Sequence, residues 1–409
     1  MSSPARVVIV GASIGGLTAA ETLRQEGFDG EIVLVGDEPH LPYTRPPLSK
    51  QILLGDWTPA HATILTAGQL DDLHIEIRTG CSAVGLDTEA RVLQTSAGSM
   101  PYDELIIATG TMPRSHPLIP SASLRTMDDA IRVRDRMEAA RRVAVVGSGI
   151  LGSEVASAAR ARDAEALLIG RSGILSFGGA GTLLDAQLRS LHVANGVELA
   201  LRTRILAARS TESGTTELVF EDGNAQTFDL VVTMIGSIPC TDWLASSSLD
   251  VTDGIGCDPH GSAADGVWAV GDVAAWFDPV RGRRVRIEHQ SNAIEQAIGV
   301  ATRIVHGTDS PQPVPLFWSE IHGARIQAYG RFAPERPLED ISDGDGTGPV
   351  YASRDAAGEV RGVIGWNTPP RAFRDARAAV VTAAPDLITH PTTTPSPAVV
   401  PPPALVPNP

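Results

Sequence analysis

Apolar residues in this chain gather into short β-branched runs, each followed by a glycine-rich turn and a stretch with helical spacing. The first run is Arg6-Val7-Val8-Ile9-Val10, short enough for a buried parallel strand. It leads into Gly11-Ala12-Ser13-Ile14-Gly15-Gly16, after which Leu17, Ala20 and Leu23 share one helical face. A second strand, Ile32-Val33-Leu34-Val35, ends at Gly36-Asp37-Glu38. The pattern returns with the strand Val143-Ala144-Val145-Val146 and the turn Gly147-Ser148-Gly149-Ile150-Leu151-Gly152. A helix through Glu154-Val155-Ala156 follows, then the strand Ala166-Leu167-Leu168-Ile169 and Gly170-Arg171-Ser172.

This alternation is the layout of a dinucleotide-binding unit. Gly11 makes the tight turn, Gly16 lets the helix lie close on the strand, and the helix N-terminus faces a pyrophosphate. Either Asp37 or Glu38 stands where a ribose hydroxyl needs an acceptor. The middle glycine of the first turn is replaced by Ser13, whereas Gly147, Gly149 and Gly152 complete the second. One such turn is weak evidence. Two in one chain imply that one bound dinucleotide passes electrons to another.

The remaining pattern is coarser. Pro39 to Lys50 is proline-rich and aperiodic, which predicts a rigid loop whose Arg45 and Lys50 could meet a phosphate or the electron-rich end of a flavin. Residues 60–105 read as short strands and turns, with a hairpin at Ser96-Ala97-Gly98. The buried run Leu105-Ile106-Ile107-Ala108 ends at Thr109-Gly110, and Thr126 is an N-cap candidate for a charged helix. Strands are expected at Arg325–Gly330 and Gly362–Asn367, and a helix from Phe373 to Val381. Past Ala384 the proline density forbids helix or sheet.

Composition narrows the function. The chain has 409 residues, enough for two or three domains, and is 43% hydrophobic, so it is not a disordered chain. A net charge of −15 without a long basic run argues against nucleic acid as a partner. Cys81, Cys240 and Cys257 are isolated, which excludes a disulfide framework or a cysteine-rich metal site and fits a reducing cytoplasm. No leader pattern opens the chain and no apolar run approaches ~18 residues, so a cytoplasmic protein without membrane attachment is expected. No metal site is expected, since His289 has no carboxylate or histidine at ligand spacing.

From Val35 to Lys50 the chain resembles the signature of the FAD-dependent ferredoxin reductases that serve cytochrome P450 and ring-hydroxylating oxygenase systems, with Thr44 where the family usually has Asp. The resemblance implies an α/β fold with two dinucleotide-binding, Rossmann-like domains, the second inserted in the first, plus an α+β C-terminal domain. The expected FAD-binding domain is 1–112 with 245–313, the NAD(P)H-binding domain 113–244, the C-terminal domain 314–384, and 385–409 a disordered Pro-rich tail.

It also implies roles. Arg45 and Lys50 would lie along FAD, Lys50 beside the isoalloxazine with Pro47 against the ring. Thr109 and Gly110 would touch FAD, Arg114 would be nearby, and Gly271-Asp272 would meet the ribityl chain. Glu154 would sit between nicotinamide and flavin, and Trp318 would shield the ring. Arg286 to Gln296 resembles the family pattern RxEHWxNAxEQ, with His289 packed or flavin-adjacent and Gln290 in place of Trp. The implied activity carries electrons from NADH or NADPH through FAD to a [2Fe–2S] ferredoxin, expected to dock on Arg281, Arg283 and Arg284. The family has Glu where Gly170 stands. Without that carboxylate, and with Arg171 next, NADPH should serve at least comparably to NADH. The alternatives are a flavin-binding protein with a non-enzymatic role and an NAD(P)H oxidase-type relative. A disulfide reductase would need a redox cysteine near the flavin, and none lies between Met1 and Gly80.

Overall fold

The structure is a computed structural model that describes residues 4–174, 181–212, 214–332, 336–342 and 348–382. The expected tail, 385–409, lies outside the described residues.

Val7 to Val10 are almost wholly buried, as a strand covered on both faces requires. Their strand, Arg6–Val10, pairs in parallel with Glu31–Val35 on one side and Glu104–Ile107 on the other. Ile75–Arg78 extends one edge; Val267–Ala269 and then Ser262–Ala264 extend the other. The sheet is thus completed by strands that follow the second glycine turn in sequence. That second unit builds its own four-stranded parallel sheet in the order Val197–Leu201, Glu165–Gly170, Arg142–Val146, Leu230–Thr233. Each unit also carries a three-stranded antiparallel meander. In the first, Thr95 pairs with Gly98 across the expected Ser96-Ala97 hairpin.

The two crossings between the units meet as a ribbon, Thr111–Pro113 antiparallel to Ser237–Pro239. Trp243 and Leu244 pack into the first core, so the chain is back in the first unit slightly before residue 245. The units also share a core: Tyr43, Leu48, Ile52 and Leu53 cluster with Val143, Val155 and Leu168 of the second.

Two local expectations are corrected. The proline loop tightens into a 3-10 turn, Pro46–Ser49, and a helical turn, Gln51–Leu54. Proline's fixed φ suits the first positions of a helix, so it starts these turns. Helices also form at Pro59–Ala62 and Ala67–Asp72, where strands were expected. The second is announced by a Thr66/Gln69 capping box, a signal that the period-2 reading passes over. Thr126 caps Met127–Ala139, its hydroxyl accepting the Asp129 N–H.

The last domain is a five-stranded antiparallel sheet, Leu316–Ile321, Ala324–Gly330, Val360–Trp366, Val350–Arg354 and Glu339–Asp340 in spatial order. The helix Pro370–Thr382 packs on it through Phe373 and Val380.

Candidate functional site

Both glycine turns open onto one cleft of about 610 Å³, lined by Ser13-Ile14-Gly15 on one side and Gly149 to Gly152 on the other. This follows from the fold, because parallel sheets present their turns at the C-terminal edge of the strands. Arg45, Lys50, Thr109, Gly110, Glu154, Gly271, Asp272, His289, Gln290 and Trp318 also line it.

Gly11 and Gly147 lie behind the wall at φ +118° and +119°, and each N–H donates to the adjoining strand, at Val35 O (2.7 Å) and Ile169 O (2.8 Å). A Cβ on Gly11 would enter the Ala108 carbonyl, and one on Gly16 that of Gly11. Gly152 stands likewise against Gly147. Gly149 is different. A Cβ there meets nothing within 4 Å, so that space is left open to the cleft. Ser13 occupies the matching place with extended backbone and makes no side-chain cap bond. A phosphate approaching the helix N-terminus fits such a cradle.

Between the turns sits a buried charge network. Lys50 Nζ lies 2.7 Å from Glu154 Oε1. Ser49 Oγ donates to Glu154 Oε2 at 2.5 Å, and Ser319 Oγ donates to Oε1 at 2.6 Å. Glu154, Ser49 and Ser319 are all buried. A buried carboxylate is tolerable only when its lone pairs are satisfied, and here donors from two other domains do so. Lys50 Nζ also lies 5.4 Å from the centroid of Trp318, which stays 43% exposed at the cleft mouth.

A second network holds the opposite wall. Arg45 donates to Glu38 Oε1 (2.8 Å) and to the Arg125 carbonyl (2.6 Å), and Tyr43 OH donates to Glu38 Oε2 (2.6 Å). Both Glu38 oxygens are therefore engaged, which leaves exposed Asp37 beside the first turn as the ribose acceptor candidate. Arg125 reaches Asp272 Oδ2 at 3.3 Å. Burial pushes the Asp272 carboxyl up, opposed by Arg125. Burial lowers His289, whose Nδ1 is buried without a partner among the described residues. An unpaired buried nitrogen on the cleft wall suits a ligand that can satisfy it. Thr44 Oγ1 lies 3.5 Å from Gln290 Oε1, so these two departures from the family pattern touch.

Other sequence expectations are displaced. Pro46 lines the cleft, while Pro47 is buried behind it. Arg114, just past the inter-unit ribbon, is exposed and outside the cleft lining. By register, Arg171 rather than Gly170 stands at the place of Asp37, the ribose acceptor candidate of the first unit. Gly147 bonds to Ile169 as Gly11 bonds to Val35, so Gly170 matches Gly36 and Arg171 matches Asp37. A Cβ on Gly170 would strike Ser148, as one on Gly36 would strike Ala12. The basic stretch is largely neutralised: Arg284 pairs with Asp250, Arg286 with Asp253 and Glu288, and Arg281 lies 3.9 Å from Asp278. Exposed Arg283 has no ion-pair partner among the described residues. Sequence reasoning missed Ser49, Ser319, Arg125 and Tyr43. The two serines adjoin Lys50 and Trp318, and that adjacency was the available signal.

The described residues hold no group of three His, Cys, Asp or Glu able to bind a metal ion, and no helix long and apolar enough to cross a membrane.

Residues 5–297 match the family described as pyridine nucleotide-disulphide oxidoreductase. The chain is 34% identical over 392 residues to the ferredoxin reductase component of chlorobenzene dioxygenase from Cupriavidus sp. (strain PS12), covering 91% of this chain and 93% of the relative. It is 32% identical over 332 residues to rhodocoxin reductase from Rhodococcus erythropolis, covering 79% and 78%. The crystal structure of the covalent putidaredoxin reductase–putidaredoxin complex contains a chain that superposes with a TM-score of 0.86 at 27% identity, covering 93% of this chain and 94% of that one. With both glycine turns inside the matched region, the chain belongs to the pyridine nucleotide-disulphide oxidoreductase family.

Proposed function

We propose that the protein is an FAD-dependent NAD(P)H:ferredoxin reductase, delivering electrons to a [2Fe–2S] ferredoxin of a P450 or ring-hydroxylating oxygenase system. The observation that carries this is the single cleft shared by both glycine turns, with the Lys50–Glu154 pair between them. The relatives named above are ferredoxin and rhodocoxin reductases, which supports the same reading.

Bound flavin and nicotinamide supply the two-electron to one-electron chemistry. The chain supplies position and field. The Ser13 and Gly149 turns would present helix N-termini to two pyrophosphates, and Asp37 would accept from the flavin-side ribose. Asp272, Arg125 and Arg45 hold the flavin-side wall. Ser49 and Ser319 orient Glu154, which in turn holds the Lys50 ammonium at the seam. Trp318 covers the mouth. No cysteine lines the cleft, so a disulfide-reducing cycle lacks its thiol there. The three unpaired cysteines suit a cytoplasmic location. Arg283, exposed on the Arg283–Arg286 strand, offers the ferredoxin a cation whose pull is screened by salt.

The purified protein should be yellow and should reduce both an artificial one-electron acceptor and a ferredoxin at the expense of NADH or NADPH. A colourless protein that cannot be reconstituted with FAD would overturn the reading. A yellow protein inert toward the acceptor would favour the non-enzymatic alternative.

A further inference from the structure

The edge of the second sheet carries charge where the first carries a carboxylate. Arg171 follows Gly170 at the place that Asp37 takes after Gly36. The next strand brings a second cation. Gly170 and Leu201 form the last pair of their parallel ladder, and Arg171 and Arg202 are the residues that follow them. In the first unit the matching residues are Asp37 and Gly80, each two past the last ladder pair, Val35 and Arg78. Both Arg171 and Arg202 are exposed. Arg202 is held at a left-handed φ of +58°, a conformation that an L side chain rarely adopts and that tends to mark functional positions.

Two more polar groups bear on this edge, one by sequence and one by charge. Ser172 follows Arg171 and is exposed. His116, on the segment after the inter-unit ribbon, is lowered by burial and, to a smaller extent, by the charge of Arg171. The Leu118 N–H donates to His116 Nδ1 at 3.2 Å, which leaves Nε2 to carry the ring proton and donate. The nearby carboxylate, Asp185, accepts from the Ile174 N–H at 2.5 Å and from Arg189 Nε at 2.6 Å, and against its burial these bonds and the charges of Arg189 and Arg202 hold it low.

In a dinucleotide-binding unit this edge receives the adenosine ribose. A carboxylate there takes the 2′- and 3′-hydroxyls and repels a 2′-phosphate. Paired guanidiniums do the opposite. We propose that Arg171 and Arg202, with Ser172 and His116, form a subsite for the 2′-phosphate of NADPH, so that this reductase selects the phosphorylated coenzyme. The proposal rests on the reading of the second turn as the coenzyme site.

The test is calorimetric titration of the FAD-loaded protein with 2′,5′-ADP and with 5′-AMP, which differ only in the 2′-phosphate. The parent should bind 2′,5′-ADP at least tenfold more tightly. Arg171→Ala and Arg202→Ala should each remove most of that ratio, Arg171→Lys should keep part of it, and Arg171→Asp should reverse it. The 5′-AMP affinity should move less than twofold in the alanine variants. Equal or tighter binding of 5′-AMP by the parent, or an unchanged ratio in Arg171→Asp, would overturn the subsite alone. Failure of both ligands to bind would overturn the coenzyme-site reading and the subsite with it.

Discussion

Gly11 and Gly147 have the same left-handed φ, bond to the same place on the neighbouring strand, and would each drive a Cβ into a carbonyl. Gly16 and Gly152 also match, each lying on the carbonyl of the first glycine of its own turn. The two units part company at the positions proposed to face a ligand: Ser13 against Gly149, Asp37 against Arg171, Gly80 against Arg202. Residues that hold the turn against its own strand are thus separate from residues that address the ligand. The first set is dictated by backbone sterics and recurs; the second is free to diverge, and does.

That separation can be broken most severely at the first set. Gly11→Ala should cost about 3 kcal/mol or more and yield little soluble flavoprotein, read by flavin absorbance and thermal melting. Gly147→Ala should suffer a comparable steric loss, and any folded fraction should stay yellow while losing coenzyme-driven reduction. A Gly147→Ala protein with normal stability and coenzyme use would end the equivalence.

The seam between the units is the next target, since the first contributes Ser49 and Lys50 and the second Glu154. Lys50→Met strands a buried carboxylate and should cost about 3–5 kcal/mol. Ser49→Ala or Ser319→Ala removes one donor and should cost about 1–3 kcal/mol. Urea unfolding of the three variants should rank them in that order, and a neutral Lys50→Met would show that the pair is not held dry.

Acid should distinguish the units. His192, wholly buried on the second unit's helix Gly181–Ala194, lies 3.0 Å from His322 of the C-terminal domain, Nδ1 to Nε2. Burial pulls both down to about 4. Between their ordinary value near 6.5 and about 4 the unfolded chain binds more protons than the native one. Stability should therefore hold above that window and fall as pH drops through it, by about 2 kcal/mol. His322→Asn should flatten the profile. An unchanged slope in that variant would clear the pair of responsibility.

The mildest test exchanges the ligand-facing residues. Gly149→Ser should leave the melting temperature within about 1 °C, because the space is open, and should raise KM for the coenzyme a few-fold. Ser13→Gly should change flavin retention still less. A large stability loss in Gly149→Ser would mean that its glycine also serves the backbone.

Strand, turn and helix at both glycine motifs were legible because each is a local event: β-branched runs bury, glycines turn, and 3.6-residue spacing makes a face. The same local logic misread residues 39–72, where prolines begin helical turns and Thr66 caps a helix. The resemblance named Lys50 and Glu154 as site residues, and the tertiary structure supplied their bond and its serine partners.

What the sequence determined by itself is the series of units and the cofactor class, since periodicity and turn chemistry act over a few bonds. Only the tertiary structure decided that Glu38 is consumed by Arg45 and Tyr43, that Thr44 touches Gln290, and that Gly170 and Leu201, the residues before Arg171 and Arg202, end their ladder as a pair. Those facts depend on register between segments tens to hundreds of residues apart. Register is settled by the packing of whole sheets and cores, which no local pattern encodes.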